Sequence, residues 1–147
     1  MPNYIVSMET NHIISLVSRI RDKAGRIITH ELSSRNIPGL APSHGDILML
    51  LFHSETVSMR EIAKRIGRDK STVTALVKKL IDFGYVQKEQ DLNDSRVTLV
   101  KLTKAGRGLK RDFDEISEIL LQRVYKNFTA KEKEVMIHGL ERINNNL

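Results

Sequence analysis

The 147-residue sequence contains no cysteine, no tryptophan and only three prolines, and aromatic residues make up 5% of it. The lack of cysteine excludes disulfides, thiolate zinc sites and thiol redox sensing, and it fits a reducing compartment. No uninterrupted apolar run approaches the roughly 18 residues that a membrane span needs. The segment 1–8 also lacks the basic-then-apolar pattern of a signal peptide. We therefore expect a cytoplasmic protein with no membrane partner.

The sequence also lacks the reactive groupings that enzymes need. Its five histidines form no His-x-x-x-His pair, and it contains no glycine-rich phosphate loop and no nucleophile elbow. We therefore predict that the chain is not an enzyme and that it has no cofactor and no metal site. One alternative stays open, because His44 and Asp46, together with His30, have metal-ligand chemistry. That alternative is a metal-responsive regulator. The competing interpretation is that these residues are a helix cap and surface histidines.

Positive charge is concentrated in the middle of the chain. Residues 60–111 hold 14 lysines and arginines and 6 carboxylates, whereas the rest of the chain holds 10 lysines and arginines and 12 carboxylates. The formal net charge of +6 therefore comes from the middle segment. A localised basic region is expected of a polyanion binder, although a lysine-rich solvated surface gives the same count. Charge alone leaves both interpretations open.

Helical periodicity marks the first third of the chain, whose total length suits one compact unit. Apolar residues at 13, 16, 17, 20, 24, 27 and 28 share one helical face. This helix is expected to stop before the turn-forming segment 36–39. A second helix is predicted to begin after Pro42 and Ser43, with Ser43 as its N-cap and Asp46 as its capping partner.

Two short helices and a tight turn are predicted next. Ser58 and Asp69 are suited to cap the first and the second of these helices. Ala63 is small enough for the two helices to cross closely, and Gly67 adopts the positive φ of the turn without strain. Val73 then inserts a branched apolar side chain into the core. The spacing of these three residues indicates a helix-turn-helix.

A β-hairpin is predicted to follow, because the pattern changes after Gly84. Residues 85–88 and 96–102 favour strands, and the polar segment 91–94 favours a turn between them. Thr103 is then predicted to cap one long helix that reaches Val124, and Thr129 is predicted to cap a last helix. These terminal helices have more apolar surface than a small winged-helix core covers, so a two-fold dimer is expected to bury it.

The second helix of the helix-turn-helix is the predicted DNA-reading element. Residues 71, 74, 75 and 78 follow the i, i+3, i+4, i+7 spacing and therefore share one face. In helix-turn-helix proteins the N-terminal end of this helix points at base edges in the major groove. Hydroxyl groups bond to bases or phosphates, and a lysine reaches guanine or a phosphate. The predicted DNA-binding residues of the two helices are Arg60, Lys64, Arg68, Lys70, Ser71, Thr72, Thr74, Ala75 and Lys78.

The hairpin supplies one further predicted DNA contact, Arg96. An arginine just past the hairpin tip is able to enter a neighbouring minor groove, where A·T tracts concentrate negative potential. Asp94 is placed to fix the direction of Arg96 through a charge-assisted hydrogen bond. The alternative is a surface ion pair worth less than about 1 kcal/mol. The local sequence favours neither.

On these motifs the chain resembles the MarR family of bacterial and archaeal regulators over nearly its whole length. The matching segments are 42–48, 61–67, 70–74, 80–86, 94–96 and 102–106. The Asp-x-Arg of 94–96 followed by the Leu-Thr-x-x-Gly of 102–106 is the most diagnostic pair. The resemblance implies a mainly α fold with a small β-hairpin wing, which is a winged helix-turn-helix flanked by terminal dimerisation helices.

The resemblance also implies a domain arrangement and a function. It implies an N-terminal dimerisation helix (1–35), a winged helix-turn-helix (42–102) and C-terminal dimerisation helices (103–147). The implied function is transcriptional regulation, with repression favoured, by a homodimer on a pseudo-palindromic operator of double-stranded DNA. The implied effector is a small anionic, often aromatic ligand that releases the DNA.

Single positions carry over from the family in part. Ser71, Thr72 and Thr74 match recognition-helix contacts, and Arg96 matches the wing arginine. Many members have arginine where this chain has Ala75, so Lys78 or Lys70 is expected to substitute for that contact. A second alternative is a winged-helix module that binds only protein, and it predicts no salt-dependent DNA affinity.

Overall fold

The computed structural model describes residues 10–147. Residues 1–9 lie outside the described residues. They include the whole segment 1–8, for which no signal peptide is expected, and the start of the predicted first unit (1–35). The structure is mainly helical with a small antiparallel sheet. Its elements in chain order are α1 (Ile13–Ser34), α2 (Pro42–Ser54), β1 (Thr56–Ser58), α3 (Met59–Ile66), α4 (Lys70–Asp82), β2 (Val86–Gln90), β3 (Thr98–Leu102), α5 (Lys104–Arg107), α6 (Lys110–Val124) and α7 (Ala130–Asn146).

The first helix ends where the sequence predicted. Asn36 has φ +61° and Gly39 has φ +84°, so the chain leaves the helical path immediately after α1. The backbone N–H of Ile37 bonds to the carbonyl of Leu32 and closes the helix end. A β-carbon on Gly39 would lie 2.9 Å from the ring of Phe83, which packs against this turn. Glycine is favoured there because the positive φ strains other residues and because a β-carbon would force the Phe83 ring to shift.

The predicted cap of α2 was wrong. The N-cap residue is Ala41, and Pro42 occupies the first helical turn, where its missing N–H and fixed φ are favourable. The capping acceptor comes from His44, whose Nδ1 accepts a hydrogen bond from the Ala41 N–H at 2.8 Å. Ser43 and Asp46 therefore do not cap this helix.

The caps predicted for α3 and α4 are confirmed. The Ser58 side chain accepts from the Glu61 N–H, and α3 ends at Gly67 with φ +67°. The Asp69 side chain then accepts from the Thr72 N–H and starts α4. The two helices and their left-handed glycine turn form the helix-turn-helix that the spacing of Ala63, Gly67 and Val73 indicated.

The wing is a three-stranded sheet rather than a hairpin alone. The strand order is β1-β3-β2, and both pairings are antiparallel. The β1 strand, whose Val57 lies opposite Val100, was missed by the sequence analysis. In the predicted hairpin Val86 pairs with Leu102 and Lys88 pairs with Val100, so the β2–β3 prediction is confirmed.

The single long helix predicted after Thr103 is in fact two helices. Thr103 caps the four-residue α5, and the separate α6 begins at Lys110. Between them the Leu109 N–H bonds to the Gly106 carbonyl, a three-residue step that interrupts the α-helical pattern. The cap of α7 is confirmed, since Thr129 and Glu132 form a reciprocal capping box.

The hydrophobic core lies around α2, between the helix-turn-helix, the inner face of the sheet, the C-terminal end of α1 and the first half of α6. Its fully buried members are Leu32, Ile47, Leu48, Leu51, Ile62, Val73, Val77, Leu80, Val86 and Val100. Among residues 10–147, no helix is long and apolar enough to cross a membrane. Apolar side chains on the outer parts of α1, α6 and α7 remain exposed.

Candidate nucleic-acid interface

The α4 helix has one buried face and one polar exposed face. Val73, Val77 and Leu80 are at most 1% exposed and anchor the helix to the core. The opposite face consists of Ser71, Thr74, Ala75 and Lys78, all exposed. The structure therefore places these four predicted residues together, with Lys70 exposed at the start of the same helix and Thr72 half-buried.

Hydrogen bonds fix the polar side chains at the start of α4. The Asp69 carboxylate accepts from the Thr72 N–H at 2.7 Å and from the Ser71 hydroxyl at 2.9 Å. The hydroxyl of Thr74 donates to the carbonyl of Lys70 at 2.8 Å. These bonds use the hydroxyl protons, so the two exposed hydroxyl oxygens are left to act as acceptors. The bonds that the Asp69 carboxylate accepts, first those from Thr72 and then the one from Ser71, hold the pKa of Asp69 below its usual value.

Three predicted cations belong to α3 and the turn that follows it. Arg60 and Lys64 are exposed on α3. Arg68 is also exposed, but its guanidinium donates to the Ser43 hydroxyl at 3.1 Å. That bond directs Arg68 toward the start of α2. Arg65, which was not predicted to bind DNA, is held by Glu61 at 2.9 Å.

The wing arginine is held by its aspartate as the sequence suggested. The Arg96 Nε lies 3.2 Å from an Asp94 carboxylate oxygen, and the Arg96 backbone N–H donates to the same oxygen at 3.0 Å. The guanidinium lowers the pKa of Asp94, which therefore stays ionised. The Arg96 side chain is nevertheless 89% exposed. An oriented and solvent-facing arginine thus stands at the edge of the wing.

A groove of about 730 Å³ separates the helix-turn-helix from the wing. It brings together three predicted residues from the helices (Arg60, Lys70 and Thr74) with Arg96. It also contains Lys88 of β2, which the sequence analysis missed. The sequence held a signal for Lys88. Side chains two residues apart in a strand lie on the same face, so Lys88 shares the inner face of the sheet with the apolar Val86.

His44, one of the residues of the alternative metal site, caps a helix instead. His44 is buried, and its Nδ1 is occupied by the Ala41 N–H. Burial, together with the charge of Lys79, lowers the pKa of His44 and keeps the ring neutral. Within the described range 10–147, no group of three or more histidine, aspartate or glutamate side chains has the arrangement of a metal site. The structural role set against the metal alternative was a cap at Ser43 and Asp46 with surface histidines; the cap is instead His44, which is buried.

Comparison with known proteins gives a consistent result. A model of the MarR family matches residues 40–98, which include α2, the helix-turn-helix and most of the wing. An uncharacterized HTH-type transcriptional regulator of Bacillus subtilis, YdgJ, is 30% identical over 109 residues, which are 74% of this chain and 66% of YdgJ. The HTH-type transcriptional repressor YetL of the same species is 28% identical over 123 residues, 82% of this chain and 72% of YetL.

A solved structure shares the fold. A mutant of MarR from E. coli, complexed with operator DNA, superposes with a TM-score of 0.79 at 24% identity. The superposition covers 92% of this chain and 95% of the MarR chain. The likeness therefore extends beyond the helix-turn-helix to the terminal helices.

Proposed function

Because the chain belongs to the MarR family and is a DNA-binding transcriptional regulator, we propose that it acts as a homodimeric repressor on a pseudo-palindromic operator. The observation that carries this proposal is the two-faced α4 helix. Its apolar side is locked in the core, whereas its hydroxyl and lysine side is exposed beside a cation-lined groove. A helix of this kind fits the major groove, which admits an α-helix and presents a distinct pattern for each base pair.

The proposed division of labour follows the geometry. Ser71, Thr74 and Lys78 face the bases, and Ala75 offers a methyl group to thymine. Arg96 enters the adjacent minor groove, oriented by its bonds to Asp94. Phosphate contacts come from the remaining predicted residues, Arg60, Lys64, Arg68, Lys70 and Thr72. Arg68 must leave Ser43, or share that bond, to do so.

Dimerisation is proposed from the apolar surface of the terminal helices. On α1 the exposed residues include Ile14 and Ile20, which are 67% and 52% exposed. On α7 they include Val135 and Leu140. A two-fold axis through these helices would bury the same patch on both subunits. We therefore propose that 1–35 and 103–147 dimerise and that 42–102 binds DNA, with half-sites about 34–36 Å apart.

Selection of bound fragments from random duplex DNA tests the proposal directly. A palindromic consensus with half-sites one helical turn apart is the expected result. Sedimentation of the same sample is expected to give twice the monomer mass. A chain that selects no sequence, or that remains monomeric at the concentration at which it binds, contradicts the proposal.

Two substitutions separate base reading from groove anchoring. Arg96→Ala is expected to weaken operator binding, because it removes a cation from the minor groove. Lys78→Ala is expected to change the preferred sequence as well as the affinity, with a loss of about 1–3 kcal/mol for a base contact. Fluorescence anisotropy against the selected operator and its single-base variants measures both. Unchanged operator affinity for both variants refutes these assignments.

We also propose that a small anionic, aromatic ligand releases the DNA. Family membership supports this, and no residue of the chain is assigned to the pocket. Benzoate serves as the probe: displacement of the operator at a concentration that leaves the dimer intact supports an effector, and displacement equal to that by acetate contradicts it. A regulator that binds chromosomal DNA would act in the cytoplasm.

A further inference from the structure

We propose that Lys88 on β2 is a DNA-backbone contact and that the groove between the helix-turn-helix and the wing holds one sugar–phosphate strand. This inference deepens the proposed function and rests on it. It adds a strand residue to a set of contacts drawn otherwise from the helices and the wing tip. Lys88 was not among the residues predicted from the sequence.

The first step is the position of the groove. Its walls are α3 and the start of α4 on one side and the wing on the other. In duplex DNA a single sugar–phosphate strand separates the major groove from the neighbouring minor groove. A protein that places α4 in the former and Arg96 in the latter must therefore straddle that strand. The groove of about 730 Å³ is the space in which the strand lies.

The second step is the direction of Lys88. Lys88 lies opposite Val100, a fully buried residue on the inner face of the sheet. Val86, two residues earlier, is also buried. Because side chains alternate along a strand, Lys88 projects from this inner face toward the helices. It is exposed and lines the groove.

The third step is the charge of the groove. Four cations line it, Arg60, Lys70, Lys88 and Arg96, against one carboxylate, Asp94. Asp94 is already bonded to Arg96. Within residues 10–147 no ion-pair partner lies within 4.0 Å of the Lys88 ammonium. A free ammonium on such a wall has the chemistry that neutralises a phosphate.

The same sheet offers a matched control in Lys101. Lys101 lies on β3 opposite Gln87, and therefore on the outer face of the sheet. Its ammonium is paired with Glu89 at 3.1 Å. It does not line the groove. Lys88→Ala and Lys101→Ala thus remove the same charge from opposite faces of one sheet.

The test is the salt dependence of DNA binding by the full-length protein, measured by anisotropy between about 50 and 200 mM KCl. Each neutralised phosphate is expected to contribute about 0.9 to the slope of log affinity against log salt concentration. Lys88→Ala is expected to reduce the slope by about 0.9 per subunit and to weaken binding about 8-fold per contact at 0.1 M salt. The loss is expected to be equal on the selected operator and on an unrelated duplex, because phosphates carry no sequence information. Lys88→Arg is expected to keep the slope, and Lys101→Ala to match the unaltered protein.

Two results overturn the inference while leaving the proposed function intact. One is a Lys88→Ala slope equal to that of Lys101→Ala. The other is a loss confined to the operator with an unchanged slope, which marks a base contact instead. Absence of DNA binding by the unaltered protein at 50 mM salt overturns the proposed function and this inference together. Circular dichroism of each variant verifies that the exposed substitution leaves the fold unchanged.

Discussion

Gly106→Ala is predicted to destabilise the fold although it places a better helix former in a helix. Gly106 lies in α5 beneath the wing, where a β-carbon would overlap the carbonyl oxygen of Tyr85 and lie 3.0 Å from Leu102 Cδ2. That carbonyl also accepts the Thr103 N–H at 3.0 Å. The backbone of Tyr85 cannot move aside without stretching this bond, which joins the end of α4 to the start of α5.

The size of the effect follows from three terms. Overpacking costs about 1–3 kcal/mol. Weakening the Thr103–Tyr85 hydrogen bond adds about 1 kcal/mol. The greater helix preference of alanine offsets about 0.5–1 kcal/mol of this. The expected net loss of unfolding free energy is about 2 kcal/mol, which in a chain of this size lowers Tm by about 4–8 °C.

Gly25→Ala is the matched control for this prediction. Gly25 is also helical, but a β-carbon there meets only Pro42 at 3.6 Å, an ordinary contact. The same substitution is therefore expected to stabilise by about 0.5–1 kcal/mol. Urea unfolding at one fixed protein concentration measures both variants, since coupling to dimerisation makes stability depend on concentration. The reasoning fails if Gly106→Ala is as stable as the unaltered protein, or if both variants shift the same way.

Three further effects on stability are expected. Thr129→Ala removes the reciprocal cap of α7 and is expected to cost about 1 kcal/mol in the same unfolding assay. The hydrogen bond from Arg35 is the largest of the interactions that lower the pKa of Glu115. The Arg35–Glu115 ion pair therefore stabilises the fold fully above the ordinary pKa of 4.5, and this contribution is lost as the pH falls through the lower folded-state pKa. Arg35→Met is expected to reduce the dependence of the unfolding free energy on pH below 4.5. An unchanged pH dependence contradicts this expectation. Burial lowers the pKa of His44, so the stability that its neutral ring gives as the cap of α2 is fully present above 6.5 and is lost as the pH falls through the lower folded-state pKa. His44→Ala is expected to remove this pH dependence below 6.5.

The sequence predicted the local structure correctly where a few neighbouring residues decide it. The exposed face of α4 follows from helical spacing alone, because residues three and four apart share a face in any α-helix. The caps by Ser58 and Asp69 bond within three residues, and the φ of Gly67 depends on the local turn. The bond between Asp94 and Arg96 spans two residues and was also foreseen.

The missed features depend on partners far along the chain. The strand β1 is three residues long and becomes a strand because it pairs with β3, more than 40 residues later. The break between α5 and α6 accompanies the packing of Gly106 against Tyr85, which the helical pattern of the sequence does not reveal. The side chain of Lys88 reaches the groove only because the sheet lies with its inner face toward the helices.

The sequence by itself determined the helix-turn-helix, the wing hairpin and the polar face of α4, because each rests on interactions between residues close in the chain. The cap of α2 is local as well, because the Ala41 N–H bonds to His44 three residues later, and Pro42 starts the helix before the predicted cap Ser43. The tertiary structure alone decided that β1 becomes a strand by pairing with β3. It also decided which cations meet in one groove. Local spacing fixes the direction of a side chain within its element, but only the packing of elements fixes what that side chain faces.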